Sequence, residues 1–184
     1  FLSPPPEGVV RFTVGQPDFR TPQPVVDTAK AALDNGEHGY TRSQGSEEVC
    51  EAVANYLSKY DLDIDANDVL VSPGCKQALL YAMMSCLNPG DEVLLFAPAW
   101  PSYDGMLKLI GAVPVHVPVR RDNYHPDMAA TKAAITNKTK AIIINSPNNP
   151  TGAVYHPSEI EELTAIAAEN DLWIFDDMIY SDLV

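Results

Sequence analysis

The period of the apolar positions changes along this chain. In "TPQPVVDTAKAALDNG", residues 21 to 36, they recur as on a helix, with Thr21 placed to cap, Pro22 suited to the first turn and Gly36 to the exit. "SEEVCEAVANYLSKY" sets Val49, Val53, Tyr56 and Tyr60 at offsets of four, three and four, which predicts a second helix with those side chains facing a core. From Asp68 onward short apolar runs take over: "DVLVS", "EVLLFAP", "VPVHVPV", "KAIIINSP" and "LWIFDD", separated by stretches of helical length. That alternation predicts an α/β domain with a mainly parallel sheet. The unbroken Ile142, Ile143 and Ile144 suit a strand buried on both faces. A last helix is expected from Pro157 and Ser158, with Glu161 closing a capping box and Ile160, Leu163 and Ala167 turned inward.

Composition narrows the class. With 184 residues, 46% of them hydrophobic and 20% charged, the chain can bury one sizeable core. A net charge of -13, from 25 acidic against 12 basic residues without a block of one sign, disfavours nucleic acid or an anionic membrane as partner. Any phosphate must then be held locally. Cys50, Cys75 and Cys86 are an odd set with no C-x-x-C pair, which points away from a disulfide framework or zinc ribbon and toward a reducing, cytoplasmic setting. No metal site is expected. No apolar stretch nears the roughly 18 residues of a membrane span, and "FLSPPPEG" lacks the basic and apolar regions of a signal. Phe1 and Val184 make both ends read as cut.

In open α/β sheets ligands bind beyond the carboxyl ends of the strands. After "DVLVS", Gly74 allows a tight turn and Cys75, Lys76 and Gln77 open a helix whose free N–H groups suit an anion; a plain glycine turn fits too. After "EVLLFAP", Trp100 is either core or a flat face for an aromatic ring. After "KAIIIN", the stretch "NNPTG" is either a polar turn or a means of aiming Asn149, which Pro150 restricts to extended conformations. After "LWIF", Asp177 is either a solvated loop residue or a strand-end carboxylate that needs a partner such as a protonated ring nitrogen, with Tyr180 one turn on. Together these groups describe a planar, phosphorylated ring containing nitrogen.

Taken in order, "VGQPDFRTP", "YTRSQG", "SPGCKQAL", "APAWPSY", "SPNNPTG" and "DDMIY" resemble the N-terminal half of a class I/II aminotransferase of fold type I, dependent on pyridoxal 5'-phosphate. The resemblance implies an incomplete three-layer α/β/α large domain over residues 40–184, preceded by an N-terminal arm and small-domain segment over 1–39. It implies amino-group transfer between an amino acid and a 2-oxo acid in a homodimer. Gly15 would lie by the substrate carboxylate, and Tyr40 would reach the partner subunit's cofactor phosphate. Gly74, Cys75 and Lys76 would hold the phosphate, Trp100 would stack on the ring beside the substrate, and Asn149 would touch ring hydroxyl and substrate. Asp177 would pair with the ring nitrogen and Tyr180 with the ring oxygen.

The chain departs from the family pattern in four places. Cys75 replaces a usual Ala or Gly, Ala99 a common tyrosine, "SEEVCEA" a usual Glu-Leu-Arg, and Asp176-Asp177-Met178 a Ser-Asp-Glu; the adjacent carboxylates of Asp176 and Asp177 are expected to raise a pKa. The family's Schiff-base lysine follows the Asp-x-x-Tyr motif, whereas the last lysine here is Lys140. The expectation is therefore a truncated chain, inactive alone. A β-eliminating C–S lyase on the same scaffold, or a non-catalytic fragment, are the alternatives.

Overall fold

The computed structural model describes residues 6–10, 15 and 18–184. Pro4 and Pro5 of the lead, and Val14, Gln16 and Pro17 of "VGQPDFRTP", lie outside them. The chain divides into two compact units, Phe1–Arg42 and Ser43–Val184.

The first unit carries helix α1, Gln23–Asp34. Its N-cap is Pro22 in an extended conformation, so Thr21 sits one residue too early to cap it, contrary to the sequence reading. At the other end Gly36 takes φ 81°, and the N–H groups of Asn35, Gly36 and Glu37 close the last carbonyls.

The second unit opens with α2, Glu47–Leu57, capped by the Ser46 hydroxyl. Its buried stripe is not the one expected. Cys50 and Ala54, with Val53, pack on Ile64, Ala66 and Val69, while Val49, Tyr56 and Tyr60 are exposed. Two stripes at helical spacing lie side by side on this helix, and the one with smaller side chains packs closer. Tyr56 instead turns its hydroxyl to Asp182 and Lys59 at the surface. "DVLVS" is not a strand: Val69 seals that small cluster, and Val71 donates a single hydrogen bond to Gln44 at 2.8 Å. One bond is no ladder.

The other four apolar runs form the sheet: β1, Glu92–Ala97; β2, Val113–Pro118; β3, Thr139–Ile144; and β4, Trp173–Asp176. All pairs are parallel in the order β2-β1-β3-β4, with Leu94 opposite both Val115 and Ile142, and Ile142 opposite Ile174. Side chains alternate between two cores. Val93, Leu95, Ala141, Ile143 and Phe175 pack on α3, Cys75–Cys86, and α4, Ser102–Leu109. Leu94, Phe96, Ile142 and Ile144 face α5, Met128–Ala134, and α6, Pro157–Glu169. This three-layer α/β/α arrangement is why the strands read as unbroken apolar runs. No helix among the described residues is long and apolar enough to cross a membrane.

The cap of α6 is His156 rather than Ser158, with Glu159 accepting the His156 N–H at 2.8 Å and the His125 ring at 2.7 Å. Arg120 binds the other oxygen at 2.5 Å. Against desolvation, which would raise it, the backbone N–H of His156 and the His125 ring hold the Glu159 carboxyl below its usual range. The ligand atoms of His125, His156 and Glu159 fall within 4.8 Å of one another. A cation there would meet Arg120 and the positive end of α6, so the cluster reads as a helix cap.

Two measurements check this packing. Ile142→Ala, at a fully buried position of a central strand, should lower the unfolding free energy by about 2–5 kcal/mol in urea titrations. The Tyr155 phenol is pushed up to about 12 by burial and then by the Glu159 charge. Because the folded form keeps its proton where the unfolded form has lost it, stability should fall as pH rises from 10 to 12, by on the order of 2 kcal/mol. In Tyr155→Phe that part of the alkaline slope should vanish.

Candidate active site

From β1 the chain passes to β2 on one side and then to β3 on the other, so the crevice between the carboxyl ends of β1 and β3 is the topological switch point. A small, partly open pocket lies there, lined in part by Ala99, Tyr103, Asn145 and Asn148.

Asp177 is the first residue beyond β4. Its N–H continues the ladder to Ile144 at 2.8 Å, and only 5% of its surface is exposed. One carboxylate oxygen accepts the Tyr103 hydroxyl at 2.7 Å. The other accepts the Cys75 thiol at 3.6 Å and the Ile179 N–H at 3.3 Å. All three donors are neutral, and among the described residues no Lys, Arg or His forms an ion pair with Asp177. A buried carboxylate so placed still favours a cationic N–H donor.

The donors themselves are kept protonated. Burial, then the hydrogen bond and charge of Asp177, push the Tyr103 phenol far up. Burial, then the Asp177 charge, push the Cys75 thiol up. Asp176 is exposed by surface area, yet protein crowds its carboxyl enough that desolvation, followed by the charge of Asp177, pushes it up as well.

Asn145, the first polar residue after β3, is buried and binds in two directions. Its Nδ2 donates to the Asp177 carbonyl at 2.9 Å, and its Oδ1 accepts the Asn149 N–H at 2.8 Å. Asn149 in turn donates from Nδ2 to the Tyr180 hydroxyl at 3.4 Å. Both readings of "NNPTG" therefore hold, on different residues. Asn148 builds the turn, accepting Thr151 and Gly152, and Asn149 is carried by it.

Gly74 caps α3 at φ 87°, a conformation that favours glycine. The carbonyl of Gly74 takes the N–H groups of Gln77 and Ala78. Those of Cys75 and Lys76 therefore have no acceptor within the helix. The Lys76 ammonium lies 5.0 Å from the Trp100 ring centroid, and Trp100 meets Tyr103 edge to face at 5.3 Å.

Cys75, Asn149, Asp177 and Tyr180 thus meet in one polar cluster, with Gly74, Lys76 and Trp100 around it. Gly15 and Tyr40 belong to the first unit, where both are exposed. Tyr103 and Asn145 complete the cluster and were not singled out from sequence. Tyr103 follows Trp100 by three residues, one helical turn, and Asn145 ends the apolar run directly.

Residues 7–184 match the family model for Aminotransferase class I and II. The chain belongs to this family. It is 41% identical over 180 residues to an aspartate aminotransferase of Thermotoga maritima, covering 97% of this chain and 48% of that protein. The crystal structure of an aspartate aminotransferase from T. maritima superposes with a TM-score of 0.91 at 40% identity, over 96% of this chain and 48% of that one. An alanine aminotransferase from Pyrococcus furiosus gives 0.86 at 33% identity, over 89% and 42%. The chain spans about half the length of these family members.

Tyr103→Phe removes the shortest hydrogen bond to Asp177 and leaves a buried oxygen unsatisfied. Urea unfolding without added ligand should show a loss of about 1–3 kcal/mol, and the loss should shrink in the Asp177→Asn background.

Proposed function

We propose that this chain forms the cofactor-binding part of an aminotransferase that uses pyridoxal 5'-phosphate to move an amino group between an amino acid and a 2-oxo acid. The observation that carries the reading is Asp177, a buried carboxylate at a strand end that meets, among the described residues, neutral donors only. The donor set fits the cofactor at both ends. A carboxylate suits a protonated pyridine nitrogen, and the two free N–H groups at the start of α3 suit a phosphate.

When bound, the cofactor supplies a sink for the electron pair left at Cα of the amino acid. The rest is the work of side chains. Asp177 holds a proton on the ring nitrogen, and Tyr103 holds Asp177. The N–H groups of Cys75 and Lys76, with Gly74 setting the turn, take the phosphate, and Lys76 adds charge by moving off Trp100. Trp100 offers a face to the ring. Asn149 and Tyr180, already bonded to each other, address the ring oxygen, and Gly15 lies by the substrate carboxylate. We assign residues 1–39 to an arm and small-domain segment and 40–184 to the large domain, in a homodimer where Tyr40 reaches the partner subunit's phosphate.

The names of the Thermotoga relatives favour aspartate as the first donor to test, and aminotransferase names throughout favour transfer over C–S lysis. The assay follows oxo acid formed from aspartate and a 2-oxo acid acceptor, in protein of the family's full length carrying these residues. Release of ammonia and thiol from a β-thio amino acid offered in parallel, with no transfer from aspartate, would overturn the reading.

Asp177→Ala should lose most turnover while retaining part of the cofactor, with affinity by absorbance titration down roughly ten- to hundredfold. Trp100→Ala should weaken the cofactor by about 1 kcal/mol beyond the lost burial; equal affinity would return Trp100 to the core.

A further inference from the structure

Resting on that reading, we propose that the Cys75 side chain is a positioning donor for Asp177, coupling the helix start offered to the phosphate with the carboxylate offered to the ring nitrogen. Thiol-directed reagents would then control cofactor binding.

Cys75 is the first residue of α3, and its two functional groups face different tasks. The N–H belongs to the anion-binding turn. The Sγ lies 3.6 Å from Asp177 Oδ1, joining residues 102 positions apart. That oxygen has one other donor, the Ile179 N–H at 3.3 Å, whereas the opposite oxygen holds the Tyr103 hydroxyl at 2.7 Å. The thiol therefore helps fix the rotation of the carboxylate, which decides the oxygen a ring N–H would meet.

The chemistry of this cysteine runs against its position. A thiol at a helix N-terminus is ordinarily acidified. Here burial and the carboxylate oppose ionisation, and the phenols of Tyr103 and Tyr180 add no positive charge. Lys76, next on the helix, has its ammonium over Trp100. Cys75 thus stays a donor at neutral pH. Although protein around the sulfur desolvates the thiol, the residue as a whole is exposed, whereas Cys50 is buried and Cys86 partly so, so a small reagent reaches it. With iodoacetamide, sulfur bonds to the reagent's methylene carbon, iodide leaves and the thiol proton passes to solvent. The product has no S–H and carries a bulky amide beside Asp177.

The test has two arms. Without cofactor, the rate of Cys75 carbamidomethylation is measured against pH by peptide mass mapping, in the unmodified chain and in Asp177→Asn. Removing the carboxylate charge should shift the Cys75 profile to lower pH and speed alkylation at pH 7.5 by roughly tenfold, about one pKa unit, with Cys86 unchanged as internal reference. Superimposable Cys75 profiles would overturn the coupling.

With pyridoxal phosphate, binding is titrated by absorbance. Cys75→Ala, which keeps the backbone N–H, should bind severalfold more weakly, Cys75→Ser should recover much of the loss, and bound cofactor should protect Cys75 from alkylation. Equal binding by the unmodified chain and Cys75→Ala would overturn the positioning role. Failure of the unmodified chain to bind would overturn the functional reading and the cofactor part with it, while the alkylation profiles still decide whether Asp177 governs Cys75.

Discussion

A carboxylate placed where β4 ends and water is excluded must be surrounded by donors. Asp177 meets that demand with the Cys75 thiol from the start of α3, the Tyr103 hydroxyl from α4 and the Ile179 N–H, while Asn145 fixes its backbone by donating to the Asp177 carbonyl. Each of the three side-chain donors has a second attachment. Cys75 opens the helix whose first N–H groups are free, Tyr103 packs against Trp100, and Asn145 holds Asn149. One residue, through its charge and its backbone carbonyl, therefore ties together the first turn of α3, the indole and the amide.

How much of this could be read from the sequence depended on whether a residue's role was local. The four strands were legible because burial on both faces leaves an unbroken apolar run, as at Ile142 to Ile144. "DVLVS" carries the same kind of run, but being a strand is a property of pairing, and its single bond to Gln44 is a fact about a distant segment. α2 shows the same limit: its sequence holds two stripes, and only the position of Val69 selects Cys50 and Ala54. The caps failed by a residue or two, since Pro22 and His156 take the extended conformation that Thr21 and Ser158 were expected to adopt.

At the site, residues with a distinctive neighbourhood were found and those defined by their partners were not. Gly74 stands out by its turn, Trp100 by its size, and Asn149 and Asp177 by their place after apolar runs. Tyr103 and Asn145 matter because of Asp177, which is 74 residues from Tyr103 and 32 from Asn145. Cys75 was read through its backbone alone, and its thiol turned out to face the other end of the site.

The order of the strands carries a consequence for how the protein comes into being. β4 follows the other three described strands in chain order and has only four residues, yet it delivers Asp177 to groups that appear on the nascent chain 74 and 102 residues earlier. Until β4 zips onto β3, the Tyr103 hydroxyl and the Cys75 thiol lack their shared acceptor. On the ribosome, then, the polar cluster forms only after β4 has emerged, and a chain cut short of β4 presents the first turn of α3 without the carboxylate that gives the pocket its polarity.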